Sequence, residues 1–275
     1  MHNSLFFDVI GSSQSKTILF LHGGGSSGWS WKPIAEQLAN NYRCVIADLP
    51  QHGKSQHIEP FSIPYASDCL AEIVDSLNNG EQWTLVGLSE GAQIGVELLT
   101  KHPEKFQFAI LSGAMILPLP GSKWVSRGLL DWTYYWFVKP FQKSDWYIRM
   151  NMSLSVGIPG KYFPQFKKDF QQLSKSGWTN LMEANLSYRM PGSLNKVKTK
   201  SLFLCGEKEY GIMKKSAQLL AQTIPLAKAG RVKIPGKISL AQSHNWPLNY
   251  PELAVNIIQD WILQKDFIPS VEYVT

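Results

Sequence analysis

Short runs of apolar residues without polar alternation recur along this chain, at 5–10, 17–21, 43–47, 83–87, 107–112, 200–205 and 230–234. Such runs suit strands buried on both faces. Between several of them lie longer stretches, at 31–40, 65–79, 90–101, 212–223 and 250–264, most with apolar positions three or four apart. Leu70, Ile73, Val74 and Leu77 show that helical spacing clearly. The alternation predicts an α/β fold: a mostly parallel central sheet of about seven or eight strands flanked by helices. A Gly-Ser-Ser-Gln-Ser turn, Gly11 to Ser15, separates the first two strands, which are therefore expected to pair as an antiparallel hairpin at one sheet edge.

The alternation breaks between about Met115 and Asn195. That stretch carries Pro118, Pro120 and five of the ten tryptophans (Trp124, Trp132, Trp136, Trp146 and Trp178), with helical patches but no run of strands. A structureless segment of that length inside a compact domain would be anomalous, so 115–195 is expected to be a helical cap subdomain inserted into a core made of 1–114 and 196–275. Its tryptophans have two readings. Either they cover a pocket and favour an apolar or aromatic substrate, or they anchor the cap to the sheet.

A chain of 275 residues, 44% hydrophobic and 17% charged, can bury one large core and does not have the composition of a disordered protein. Its net charge of +6 comes from lysines and arginines scattered along the sequence, which reads as a solvated face rather than a patch for nucleic acid or an anionic membrane. The cysteines, Cys44, Cys69 and Cys205, are odd in number, and two lie in strand runs, so no disulfide framework is expected. The segment from Met1 to Lys16 contains Asp8 and lacks a basic stretch leading into an apolar run of signal-peptide length. Ala109 to Pro120 comes closest to a membrane span and is too short and too rich in proline. The expectation is a cytoplasmic protein with a small-molecule substrate and neither nucleic acid nor membrane as partner.

The chemistry concentrates at residues 83–101, where an apolar strand runs into Gly87-Leu88-Ser89-Glu90-Gly91 and then an amphipathic stretch. A bare Gly-x-Ser-x-Gly is a weak signal, and its place between strand and helix makes it a strong one. A sharp turn there exposes the serine oxygen only if its neighbours are small, as Gly87 and Gly91 are, and the following helix turns its positive end toward the hydroxyl. Gly95, one turn further, lets that helix sit close to the sheet.

These residues resemble the nucleophile elbow of the α/β-hydrolase superfamily, and the resemblance covers nearly the whole chain apart from the cap. Leu21-His22-Gly23-Gly24-Gly25 follows a strand where the family has its oxyanion loop. The resemblance implies that the backbone N–H groups of Gly24 and Glu90 form the oxyanion hole. Asp48-Leu49-Pro50-Gln51-His52-Gly53-Lys54-Ser55 is similar to the family's Asp-x-Pro-Gly-x-Gly-x-Ser turn, with Gln51 in place of a glycine. Glu90 is unusual at the elbow. It is either a first-turn carboxylate favoured by the helix dipole or a group that faces the pocket and selects substrate or tunes His244.

A serine hydroxyl needs an imidazole held in one tautomer by a carboxylate. His22 and His52 belong to the two glycine loops, His102 precedes Pro103, His2 is terminal and His57 sits in a polar loop. His244 lies in a polar stretch after the last strand and before the C-terminal helix, where the family carries its catalytic base. The acid falls between serine and histidine in chain order. The run from Ser201 to Gly206 enters a loop with two carboxylates, Glu207 and Glu209, and the family spacing selects Glu209, one methylene longer than the usual aspartate. The implied enzyme is a serine hydrolase that cleaves an ester-like carbonyl bond through an acyl-enzyme, with Ser89, His244 and Glu209 as triad and no metal or cofactor. A carbon-carbon bond hydrolase, an amidase and a non-catalytic binding protein of the same fold remain open as alternatives.

Overall fold

The computed structural model describes residues 4–77, 80–265 and 267–274. Its centre is one sheet of eight strands, β1 Phe7–Ile10, β2 Thr17–Leu21, β3 Arg43–Ala47, β4 Trp83–Leu88, β5 Phe106–Ser112, β6 Lys200–Gly206, β7 Ala227–Val232 and β8 Val271–Val274. They lie in the order β1-β3-β2-β4-β5-β6-β7-β8. The six inner strands are parallel, and β1 and β8 close the edges antiparallel to β3 and β7.

Every residue of β2 and β4 is buried, which is why these segments show no polar alternation in sequence. Successive side chains still go to opposite faces. Leu19 and Leu21 join the core shared with α2 (Ile63–Leu77), α3 (Glu90–Lys101) and α8 (Gly211–Thr223). Ile18 and Phe20 join the core shared with α1 (Lys32–Leu38) and α11 (Pro251–Ile262).

Several expectations are corrected. The first two strands do not form a hairpin: Phe7–Ile10 pairs with β3, and β2 lies between β3 and β4. A turn of suitable composition connects the strands, but the buried parallel slots beside β2 are taken by β3 and β4. The last predicted strand, 230–234, is β7 at 227–232, and β8 has no counterpart among the predicted strands. The 250–264 helix is preceded by a separate turn, α10 (Trp246–Asn249), broken from α11 at Tyr250 before Pro251. Positions 78 and 79 of the 65–79 prediction, and His2, lie outside the described residues.

Between β5 and β6 the described residues form helices and no strands: α4 Arg127–Thr133, α5 Asp145–Asn151, α6 Phe163–Gln172 and α7 Lys175–Ser187, with π-helical turns at Tyr134–Val138 and Met152–Val156. This insertion has its own small core of Tyr134, Val138, Ile148, Met152, Phe163 and Phe166, joined to the sheet domain through Leu248. Among the described residues no helix is long and apolar enough to cross a membrane.

Candidate active site

The chain reverses its winding at β2: β3 lies to one side of it and β4 to the other, so the loops leaving β2 and β4 face each other at the carboxyl edge of the sheet. In open α/β sheets this is where ligands bind. Ser89 leaves β4 with φ 54° and ψ −115°, one of three described non-glycine residues with positive φ. Its backbone N–H donates to the Ser112 carbonyl at 2.7 Å, which ties the corner to the end of β5. The flanking glycines are required by close approach: a methyl on Gly87 would stand 2.7 Å from the Gly91 carbonyl oxygen, and one on Gly91 would overlap the Leu21 carbonyl. Gly95 faces Leu111, whose Cδ2 would lie 2.6 Å from a methyl placed there, so α3 packs directly on the sheet as its spacing predicts.

His244 ends α9 (Leu240–His244), a single turn started by a capping box in which Ser239 and Gln242 satisfy each other's backbone N–H groups. Its Nδ1 lies 2.9 Å from Glu209 Oε2, and Glu209 Oε1 accepts the Tyr210 backbone N–H at 2.9 Å. The Glu209 side chain is fully buried, whereas Glu207 is exposed. The structure therefore joins His244 to Glu209.

Several residues that sequence reasoning passes over hold this pair. Ser243 Oγ accepts the Lys208 N–H at 2.8 Å, and a methyl on Gly206 would overlap the Ser243 carbonyl, so α9 rests directly on the end of β6. Gly113, at φ 70°, leaves room for the imidazole, since a methyl there would lie 2.7 Å from His244 Cε1. Trp246 Nε1 donates to Ser112 Oγ at 2.9 Å. Ser89 is thus tied to the Ser112–Gly113 corner through its backbone, and the His244 ring lies close against Gly113. A glycine one residue past a predicted strand end is the available sequence signal.

The glycine loop after β2 abuts the elbow, for a methyl on Gly23 would be 3.5 Å from Ser89 Cβ. Glu90 is the first residue of α3, where backbone N–H groups have no partner within the helix. Both loop histidines are structural. The Leu49 N–H donates to His22 Nε2 at 3.0 Å, which puts the hydrogen on Nδ1, facing the Gly23 carbonyl at 2.9 Å. Burial lowers the pKa of His22 to about 4 and that of His52 to about 3, the latter helped by its neighbour His22.

Glu90 stands in the first turn of α3, as the first of its two readings has it, and its side chain does not line the cavity beside Ser89. It is buried beneath the loop, accepts the Asn185 amide of α7 at 3.2 Å on Oε1, and has Oε2 3.6 Å from His52 Nε2 and without a hydrogen-bond partner. Burial pushes its carboxyl well above the usual range, against the smaller opposing effect of the Asn185 bond. Gln51 holds φ 60°, the conformation that suits the usual glycine, and its buried side chain bridges to α7 by accepting from Asn180 at 2.8 Å.

Ser89 lines a cavity of about 500 Å³ between the sheet edge and the insertion. Phe166, Phe170, Trp178 and Leu181 from the insertion give it an apolar wall, and Gln51, Gln56 and Asp169 give it a polar end. Asp169 accepts Trp29 Nε1 at 2.7 Å and Ser27 Oγ at 2.9 Å, which clasps α6 to the loop after β2, and burial raises its pKa to about 6. Of the five tryptophans in 115–195, only Trp178 reaches the cavity. Trp124, Trp132, Trp136 and Trp146 are exposed and neither cover the pocket nor anchor the insertion. Their helices are short and broken by π turns, so sequence spacing does not assign a face. Among the described residues no group of three or more His, Cys, Asp or Glu side chains is arranged to hold a metal ion.

Residues 16–232 match the α/β-hydrolase fold family, and the chain belongs to that family. It is 35% identical over 99 residues to an AB hydrolase superfamily protein of Gibberella zeae, a match covering 36% of this chain and 35% of that protein. It is 33% identical over 100 residues to the pimeloyl-[acyl-carrier protein] methyl ester esterase of Aeromonas hydrophila, covering 35% and 37%. The chain thus spans about a third of the length of these curated relatives. Among solved structures, a thermophilic esterase from Thermogutta terrifontis superposes with a TM-score of 0.75 at 19% identity, over 94% of this chain and 93% of that one. The enol-lactonase from Burkholderia xenovorans LB400 gives 0.73 at 18% identity, over 94% and 96%.

Proposed function

We propose that this protein is a serine hydrolase that cleaves an ester bond of a small, largely apolar substrate through an acyl-enzyme. The observation that carries the reading is Ser89 held at positive φ on the same corner of the sheet that seats the His244–Glu209 pair. Because Nδ1 of His244 is engaged by Glu209, Nε2 is the nitrogen left for proton transfer. Ser89 Oγ bonds to the substrate carbonyl carbon as its proton passes to Nε2, and the carbonyl electron pair moves to an oxyanion facing the N–H groups of Gly24 and Glu90. Collapse breaks the bond to the alcohol oxygen, which takes the proton from Nε2. Water, deprotonated by the same nitrogen, then releases the acid and restores Ser89.

The cap, residues 115–195, supplies the wall of Phe166, Phe170, Trp178 and Leu181, whose apolar surface suits an acyl or aromatic group. The relatives, a methyl ester esterase and an enol-lactonase by name, favour an ester or lactone over an amide. The test is turnover of p-nitrophenyl esters of graded acyl length beside the matching thioesters and anilides. Ester cleavage by the wild type, reduced roughly 10⁵-fold or more in Ser89→Ala, is expected. Ester turnover in Ser89→Ala within ten-fold of wild type would refute the assignment, and preference for the anilides would replace the esterase with an amidase.

A further inference from the structure

Several exposed aromatic residues of the insertion lie together. Leu129, Trp132 and Trp136 follow one another at helical spacing across α4 and the π turn after it, with Trp132 50% and Trp136 62% exposed. The Trp132 ring centroid is 6.4 Å from that of Trp136 and 5.6 Å from that of Phe137, which is itself 52% exposed. The ridge continues through Tyr147, which donates its hydroxyl to the Phe137 carbonyl and stacks on Phe141 at 4.7 Å. The opposite side of the same segment, Leu130, Tyr134 and Val138, is already buried. A helical segment apolar on both sides is ordinarily covered on both, and a contiguous exposed patch of this kind marks an interaction surface.

Charge identifies what covers it. Residues 115–195 hold ten Lys and Arg against four Asp and Glu, a surplus equal to the whole chain's +6, so the remaining residues balance at seventeen of each sign. Within 121–144 the basic residues are Lys123, Arg127, Lys139 and Lys143; Arg127 is paired with Glu183 of α7, and the single carboxylate, Asp131, is turned to α7 through Thr179 and Lys175. Tryptophan and tyrosine rings settle at the boundary between lipid headgroups and acyl chains, while lysine stems reach the phosphates. An acidic protein would satisfy the charge, but rings interleaved with long flexible cations suit a fluid surface better than a shaped counterface.

We propose that the insertion docks on an anionic lipid bilayer through the Trp132–Trp136–Phe137 ridge and its flanking lysines, with the sheet domain held away from the surface. This departs from the expectation, drawn from charges scattered in sequence, that no membrane is a partner. It is independent of the hydrolase reading, because its readout is binding.

The full chain would be sedimented with vesicles of phosphatidylcholine alone or mixed with phosphatidylglycerol. The expected result is binding to the mixed vesicles only, weakened by salt, with a blue shift of tryptophan emission. A Trp132→Ser/Trp136→Ser double variant should lose roughly ten-fold or more in vesicle affinity while its melting temperature and its turnover of a soluble ester match wild type. Lys139→Gln and Lys143→Gln should each lose roughly five-fold. No binding to the mixed vesicles, or binding unaffected by the tryptophan substitutions, would overturn the proposal. So would a wild-type dimer in solution that the same substitutions dissociate, which would make a second copy the occupant.

Discussion

A residue bearing Cβ pays roughly 1–3 kcal/mol to hold a conformation like that of Ser89, and the Ser112 carbonyl and the two flanking glycines keep it there. Glu209 and Glu207 lie two positions apart and differ in environment: one is buried against His244 and the other is in solvent. Glu209→Ala is therefore predicted to lower kcat roughly 10³–10⁴-fold, with Glu207→Ala within about three-fold of wild type. Steady-state kinetics on one soluble ester checks this, and the reverse ranking would place the acid at Glu207. Glu90 raises a question of stability. A carboxyl whose pKa is raised on folding binds more protons folded than unfolded between its ordinary and its raised value, so stability falls as pH climbs through that window. Glu90→Gln cannot ionise and keeps an oxygen for Asn185. It is predicted to melt above wild type at neutral pH and to converge with it toward about pH 4. A lower melting temperature at pH 7 would show that the carboxylate form is the one the fold holds.

The elements meet most closely at glycines, and the atoms opposite them differ in how far they can yield. Opposite Gly91 stands the backbone carbonyl of Leu21, and opposite Gly95 the flexible end of Leu111. Thermal melts should rank Gly95→Ala as mild, a loss of roughly 1–3 kcal/mol, and Gly91→Ala as severe or unfolded. Equal losses would mean that α3 shifts as a body. Much of this level could be read in the sequence: β2 to β6 are mostly apolar because nearly all of their residues are buried, and α3 follows a motif whose glycines have one geometric purpose. The edge strands are harder. Only four residues pair in β8, one of them exposed, and β1 sits across from β3 because of long-range slots in the sheet that a local turn does not encode.

In the whole molecule, the reversal of winding at β2 brings the glycine loop after β2 and the elbow to one edge, where both line the cavity that the insertion walls. The three proposed catalytic side chains could be named from sequence because each follows a strand end in a fixed chain order. Their supports could not. Gln51 to Asn180, Glu90 to Asn185 and Asp169 to Trp29 all join the sheet domain to the insertion across at least ninety residues of chain, where no local spacing gives a hint. The outward tryptophans are equally hidden, since aromatic content alone does not separate a pocket wall from an outer surface. The central claim, that these distant segments make Ser89 a nucleophile, is tested most directly by intact-protein mass spectrometry after brief exposure to a fluorophosphonate. One adduct located on Ser89, strongly slowed by His244→Ala and missing from Ser89→Ala, is the predicted result. An unmodified wild-type chain, or an adduct that persists in Ser89→Ala, would contradict it.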